Sequence, residues 1–223
     1  MEDVHQNIKD YLTDLITQNL QDFDLVDGGQ QRTIGDLIEN MVINIIKQNQ
    51  GEIIQEVKLS KGKKSTEDVA FISDGVKYLL DPKSHNVDSD FSMPNLIAIE
   101  KLRKLLSKNV EKKKPVRKSK KPKKIVLPQE LMFVFVDYKI EFDIVKIGSV
   151  NVTFVWELDM SMLGIGALGK GQLQIKNLNK DLVFTDEGKH IWFQRLRVEV
   201  KSYLEKQIIK IKKLQEEWDN IEN

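Results

Sequence analysis

The sequence has no cysteine, only five prolines and no long apolar run. Without cysteine the chain can form neither a disulfide framework nor a thiolate zinc site. Its first residues, MEDVHQNIKDYL, are acidic and polar, unlike those of a secretory signal peptide. No apolar stretch approaches the roughly 20 residues that a membrane-spanning helix needs. We therefore expect a cytoplasmic protein with no membrane partner.

A large charge of one sign is also missing, because 35 basic and 34 acidic residues leave a net charge of +1. The overall charge therefore does not indicate a nucleic-acid-binding protein. The three histidines are far apart in the sequence and form no metal-binding motif. Hydrophobic residues make up 40% of the 223-residue chain, which is enough for a proper core. We expect a single domain over residues 1–223.

Apolar periodicity predicts an alternation of helices and strands. Helices are predicted over 2–21, 33–50, 92–109 and 186–221, and strands over 52–60, 67–73, 76–84, 130–147 and 150–160. Thr33 and Ser92 are the expected N-caps of the second and third helices. Asp74-Gly75 is a strong signal for a two-residue hairpin turn. This order predicts an α/β fold with a mixed central sheet flanked by helices.

Two acids and a lysine are placed so that the predicted hairpin brings them together. Asp68 begins one strand and Asp81 ends the next, so a tight turn between the strands makes their outer ends meet. Their carboxylates and the Pro82 carbonyl are oxygen ligands of the kind Mg²⁺ prefers. Lys83 lies on the same strand face as Asp81 and could act on a water or a phosphate. This set suits metal-assisted phosphodiester hydrolysis, although the bare spacing also arises by accident in a charge-rich chain.

The 40 residues from Glu67 to Leu106 resemble the catalytic core of PD-(D/E)XK nucleases, most of all type II restriction endonucleases of the EcoRV and HincII kind. The resemblance is carried by Asp68, by the LLD-x-K pattern that ends at Lys83, and by Pro94-Asn95-Leu96-Ile97 before a helix. It implies a restriction-endonuclease-like fold, Mg²⁺ as cofactor and double-stranded DNA as substrate. Asp68, Asp81 and Lys83 would be catalytic, with the Pro82 carbonyl on the metal. Proline at the variable position of the motif departs from the usual pattern, because it removes an N–H.

The same resemblance suggests further site residues. Glu39, on an early helix, would support the metal or a water, and an ordinary exposed glutamate is the alternative. A polar loop predicted from Ser84 to Asn95 would approach the DNA. Its candidate DNA contacts are Ser84, His85, Asn86 and Asn95, and a polar loop that caps a helix is the simpler interpretation of these residues.

Two other segments are candidate DNA contacts. Residues 164–172 carry four glycines, and by resemblance they form a recognition loop from which Lys170 and Gln172 reach DNA; a bend between strands is the alternative. Nine of the thirteen residues 112–124 are Lys or Arg, so we expect a basic loop or arm at about 110–128. The arm would follow phosphates through Lys118, Lys120 and Lys121, while a nuclear localisation signal or a solvated loop remains open.

These observations lead to the expectation of a bacterial type II restriction endonuclease. Because palindromic DNA is two-fold symmetric, the protein is expected to act as a homodimer with one active site for each strand. The resemblance implies central cutting that leaves blunt ends with 5′-phosphates. A repair nuclease or Holliday-junction resolvase on the same core is one alternative. A DNA-binding protein without catalysis is the other.

Overall fold

The computed structural model describes residues 2–25, 31–59, 68–89, 95–109, 127–166, 171–176 and 182–220. Its helices are α1 (Glu2–Asn19), α2 (Gln31–Gln48), α3 (Ile99–Asn109) and α4 (Lys189–Asp219). Its strands are β1 (Phe23–Asp24), β2 (Gln55–Leu59), β3 (Val69–Ser73), β4 (Val76–Asn86), β5 (Asn95–Ala98), β6 (Gln129–Glu141), β7 (Ile144–Phe154), β8 (Leu163–Gly166) and β9 (Gln172–Ile175). Nearly all of the predicted basic arm lies outside these residues.

Six strands form the main sheet in the order β1-β7-β6-β4-β3-β2. Adjacent strands in this sheet are antiparallel except for β4 and β6. These two strands run parallel over ten residue pairs, from Lys77↔Gln129 to Asn86↔Tyr138. A parallel pair needs a long connection, and here that connection includes β5 and α3. The run LMFVFV at 131–136 is buried throughout, as expected for a central strand covered on both faces.

The two faces of the main sheet pack against different layers. Tyr78 and Leu80 of β4 lie in a core with apolar residues of α1 and α2. Leu79, which points the other way, lies in a second core with residues of α3, α4 and a small sheet of order β5-β9-β8. The predicted class, α/β with a mixed sheet flanked by helices, is confirmed. None of the described helices is long and apolar enough to cross a membrane.

The predicted turn at Asp74-Gly75 is confirmed. Both residues have positive φ (47° and 73°), as the favoured two-residue hairpin turns require. A second hairpin, at Phe142-Asp143, also has positive φ at both positions (50° and 61°). Sequence analysis did not identify that turn, because neither residue is a glycine or an asparagine.

Two predicted helix starts are wrong. The helix expected from residue 92 begins only at Ile99, because Asn95–Ala98 form β5 and pair with β9. Pairing with a distant strand here overrides local helical periodicity. α2 begins at Gln31, so Thr33 lies inside the helix and is not its N-cap.

Candidate active site

The pairing between β3 and β4 ends just before the acidic motif. Val69 opposite Leu80 is the last pair of the ladder, and the Asp68 N–H donates to the Leu80 carbonyl at 3.2 Å. On the other edge of β4, the Lys77 N–H donates to the Pro128 carbonyl, towards β6. Backbone groups alternate sides along a strand, so even-numbered residues of β4 face β3 and odd-numbered ones face β6. Beyond Leu80 no described strand pairs with β4 on the β3 side.

Pro82 therefore removes no hydrogen bond of the ladder. Pro82 is an even-numbered residue of β4, so its carbonyl points to the β3 side, where the pairing with β3 has already ended. An N–H at this position would point to the same side. Ser84 is the next residue of that set, and its N–H donates to Glu39 Oε1 at 3.3 Å. Proline fits a position where the strand is unpaired, and its carbonyl stays available to a ligand.

Glu39 reaches this edge because α2 comes very close to β4. Gly35 lies one helical turn before Glu39 on the same face of α2. A Cβ atom at Gly35 would be only 2.7 Å from Ser84 Oγ. The glycine thus allows the helix to approach the strand, and the approach brings the Glu39 carboxylate to the Ser84 N–H.

Asp81 is buried, only 7% exposed, and lies between a cation and a second acid. Lys83 Nζ donates to Asp81 Oδ1 at 2.7 Å, and the Asp68 side chain is hydrogen-bonded to the same carboxyl group. Burial raises the pKa of Asp81, the charge and hydrogen bond of Lys83 oppose this, and Asp68 raises it further. The resulting pKa of Asp81 is about 7, so near neutral pH this carboxyl group is partly protonated, and a cation could replace the proton.

Glu39 is part of the same electrostatic group. Burial raises its pKa above the usual range, while the Lys83 charge and the Ser84 N–H lower it and the Asp68 charge raises it. The structure thus brings Asp68, Asp81, Lys83 and Glu39 together around the unpaired edge of β4. Their catalytic roles stay a prediction.

The oxygen atoms of this site fit a hard cation with few protein ligands. Among the described residues, no group of three His, Asp or Glu side chains could hold a metal ion. Mg²⁺ does not need such a group, because it keeps several waters and binds one or two carboxylates together with substrate phosphates. Asp68, Asp81 and the Pro82 carbonyl supply that number of ligands.

The prediction that a loop begins at Ser84 is wrong. β4 continues to Asn86, and both His85 and Asn86 are buried. The Asn86 side chain accepts from the Asp88 N–H at 3.0 Å and so stabilises the turn after the strand. These residues are placed by the parallel ladder with β6, which the sequence did not reveal. That they contact DNA stays a prediction.

His85 belongs to a polar cluster that sequence analysis missed. Its Nδ1 is 3.0 Å from Asp137 Oδ1, and Asp137 also accepts from the Ser149 hydroxyl group. Asn151 Nδ2 donates to Ser149 Oγ at 3.3 Å. Burial would raise the pKa of Asp137, but the hydrogen bonds from His85 and Ser149 hold it below its usual range. The one sequence signal was an aspartate within the apolar run FVFVDYKI.

The small sheet presents a face rich in amide groups. Asn95 lies opposite Gln174, whose Nε2 donates to Asn95 Oδ1. Gln172 is two residues from Gln174 on the same face, and its Oε1 is buried without a partner among the described residues. Sequence analysis named Asn95 and Gln172 but missed Gln174, which the alternation QLQI could have revealed.

Two glycines keep this amide face flat. Gly164 and Gly166 lie opposite Gln174 and Gln172 on the neighbouring strand. A Cβ atom at Gly166 would be 2.0 Å from Gln174 Oε1, and one at Gly164 would be 2.3 Å from Lys176 Cε. The side chains of Gln174 in β9 and of Lys176 just after β9 can therefore lie across β8. The remaining predicted DNA contacts, Lys118, Lys120, Lys121 and Lys170, lie outside the described residues.

No protein-family model matches the chain, and no curated protein matches it. Among solved structures, the chain is similar to the NlaIV restriction endonuclease, with 13% sequence identity and a TM-score of 0.47. The similarity covers 79% of this chain and 71% of that one. At this level of similarity, any inference about function depends on the side chains of the chain itself.

Proposed function

We propose that the protein is a Mg²⁺-dependent endonuclease with a restriction-endonuclease-like fold that hydrolyses phosphodiester bonds of double-stranded DNA. The convergence of Asp68, Asp81 and Lys83 beside the Pro82 carbonyl is the observation that supports this function. A buried pair of acids next to a lysine has little value for stability, because the burial of charged groups is unfavourable. Such a group at the unpaired end of a strand is typical of a catalytic site.

Each residue has a distinct role in the proposed reaction. Asp68, Asp81 and the Pro82 carbonyl would hold the metal ion, which when bound stabilises charge on the phosphate and makes a bound water more acidic. Lys83 would exchange its hydrogen bond with Asp81 for one with the attacking water or a phosphate oxygen. Glu39, fixed by the Ser84 N–H, would orient a water at the same edge. In-line attack of water on phosphorus breaks the bond to O3′ and leaves 5′-phosphate and 3′-hydroxyl ends.

We further propose type II specificity, in which a homodimer cuts both strands of a palindromic site and leaves blunt ends. The protein would then act in the cytoplasm of a bacterium as part of a restriction–modification system. The amide face supports reading of a defined sequence, because asparagine and glutamine can pair bidentately with adenine in the major groove.

The test is incubation of the purified protein with plasmid DNA in the presence and absence of Mg²⁺. Discrete fragments that require Mg²⁺ would support a site-specific endonuclease, and sequencing of the ends would give the cut position. A preference for four-way junctions over intact duplex would instead indicate a resolvase. Salt-sensitive DNA binding without cleavage under any metal condition would mean that the protein is not a nuclease.

Gln174→Ala is expected to reduce discrimination between the preferred site and single-base variants about 10- to 100-fold, because one bidentate amide contact contributes about 1–3 kcal/mol to base discrimination. The measurement is cleavage of the preferred site in competition with each variant site. Gln194→Ala is the matched control, since Gln194 is an exposed glutamine of α4 that contacts His190. Unchanged discrimination in the Gln174 variant would mean that the amide face does not read bases.

A further inference from the structure

The second half of α4 extends beyond the core with its apolar side chains exposed. The helix has 31 residues, about 46 Å at 1.5 Å per residue, and Trp192 and Leu196 in its first turns are its only buried residues. Trp192 Nε1 anchors that end by donating to the Leu158 carbonyl at 2.7 Å. The later apolar side chains are 48% to 66% exposed: Leu204, Ile208, Ile209, Ile211, Leu214 and Trp218.

The rest of this chain is poorly suited to cover these side chains. Most helical stability in proteins comes from packing of an apolar face rather than from helix propensity, so an exposed apolar stripe calls for a partner. The longest segment outside the described residues, 110–126, consists mainly of lysine and arginine and has no apolar face. The other such segments have at most eight residues each. None of these segments is therefore suited to cover the stripe.

The spacing of the apolar residues is that of a coiled-coil seam. Leu204, Ile208, Ile211 and Trp218 follow one another at intervals of four, three and seven residues, with Gln215 at the intermediate core position. The seam runs into an apolar groove of about 660 Å³ between α3 and α4, to which Leu102 and Val200 also contribute. The seam can thus pair with a helix that carries the same repeat.

The charges beside the seam favour a second copy of α4 as the partner and an antiparallel orientation of the two helices. Glu205 and Lys212 occupy equivalent flanking positions one heptad apart. In an antiparallel pair of two α4 helices, Glu205 lies beside the partner's Lys212. Because the pair is two-fold symmetric, this ion pair forms twice. Lys201 then lies opposite the partner's Trp218, where a cation–π contact is possible. A parallel pair would place Val200 beside Glu205 and Gln207 beside Lys212, and would form neither ion pair.

We propose that a second copy of this chain packs antiparallel against the exposed seam of α4, with the two-fold axis near residues 209 and 210. The contact is isologous, so one helix surface serves both subunits and the assembly closes as a dimer. It would supply the second active site that cleavage of two-fold symmetric DNA requires, and in this respect it rests on the proposed function.

The test measures the mass of the full-length protein by analytical ultracentrifugation over a wide concentration range, without DNA or metal. The wild type is expected to be a dimer and the I208E/I211E variant a monomer, because both glutamates would be buried in the seam. I209E is the matched control, since Ile209 is 66% exposed and lies outside the seam; it should remain a dimer. A monomeric wild type, or equal disruption by I209E, would overturn the proposal.

Charge exchange tests the antiparallel direction. E205K and K212E should each weaken the dimer about tenfold or more, since each places like charges together twice, and the double variant should recover most of the affinity. No recovery in the double variant would overturn the antiparallel arrangement. Because these measurements need no DNA, a dimer that cuts no DNA would contradict the nuclease function alone, and a monomer that cuts DNA would contradict this interface alone.

Discussion

Replacing Lys83 by alanine is expected to lower the rate of Mg²⁺-dependent DNA cleavage about 10³-fold, the usual effect of losing a group that activates a nucleophile or stabilises transition-state charge. Lys83 is the cation in contact with the buried Asp81, and its side chain is only 18% exposed. The loss should appear in the single-turnover rate, while DNA affinity changes little, because many phosphate contacts share the binding energy.

Two further variants make this result specific. Lys77→Ala is the matched control, since Lys77 lies on the same face of β4, six residues or about 20 Å along the strand. It should cleave DNA at the wild-type rate. Lys83→Arg keeps the charge but replaces a compact ammonium group with a planar one, so it should restore only a small part of the activity. Wild-type cleavage by Lys83→Ala would remove the lysine from the proposed mechanism.

Much of the candidate site could be predicted because its main residues are connected through one local hairpin. The signal at Asp74-Gly75 fixes the register of β3 and β4, and that register brings Asp68 to the end of the ladder beside Asp81. Strand alternation then places Lys83 on the same face as Asp81. These steps require only short-range rules, which a single sequence contains.

The remaining polar residues depend on contacts between distant segments. Asp137 meets His85 through the parallel ladder of β4 and β6, and the two residues are 52 positions apart. Gln174 meets Asn95 across 79 positions. Neither pairing has a turn signal, because the connections are long, and β5 in particular resembled the first turn of a helix. Tertiary packing therefore determines the secondary structure and pairing of these segments.

The tolerance of β4 for Pro82 follows from the strand pairing around it. In a strand paired on both sides, the missing N–H of Pro82 would remove a hydrogen bond of the ladder. Its neighbours show that the N–H would have faced the side from which β3 is already absent, since Leu80 is the last residue paired there. No described strand pairs with the Pro82 carbonyl on that side either, so the departure from the family pattern is compatible with a role as metal ligand.

The metal-free protein is expected to lose stability as the pH rises from about 4 to about 7, because of Asp81. The pKa of Asp81 is about 7 in the folded state against the ordinary value of 3.8 for aspartate, so between these values the folded state binds a proton that the unfolded state has released. Stability from this group is therefore fully present below pH 4 and lost by about pH 7. Between pH 5 and pH 8 the loss is about 2 to 3 kcal/mol, since one pKa unit corresponds to about 1.4 kcal/mol.

Asp81→Asn should abolish this part of the pH dependence, since asparagine resembles the protonated acid and does not ionise. In urea unfolding with EDTA present, the stability of the variant relative to wild type should thus be greater at pH 8 than at pH 5. Asp74→Asn is the matched control, because Asp74 lies in an exposed turn with φ of 47°, which asparagine tolerates. The Asp81→Asn variant should not cleave DNA. A variant that is more stable than wild type but inactive would indicate that Asp81 is retained for function at the expense of stability. An equal stability difference at both pH values would show that Asp81 does not hold its proton in the folded protein.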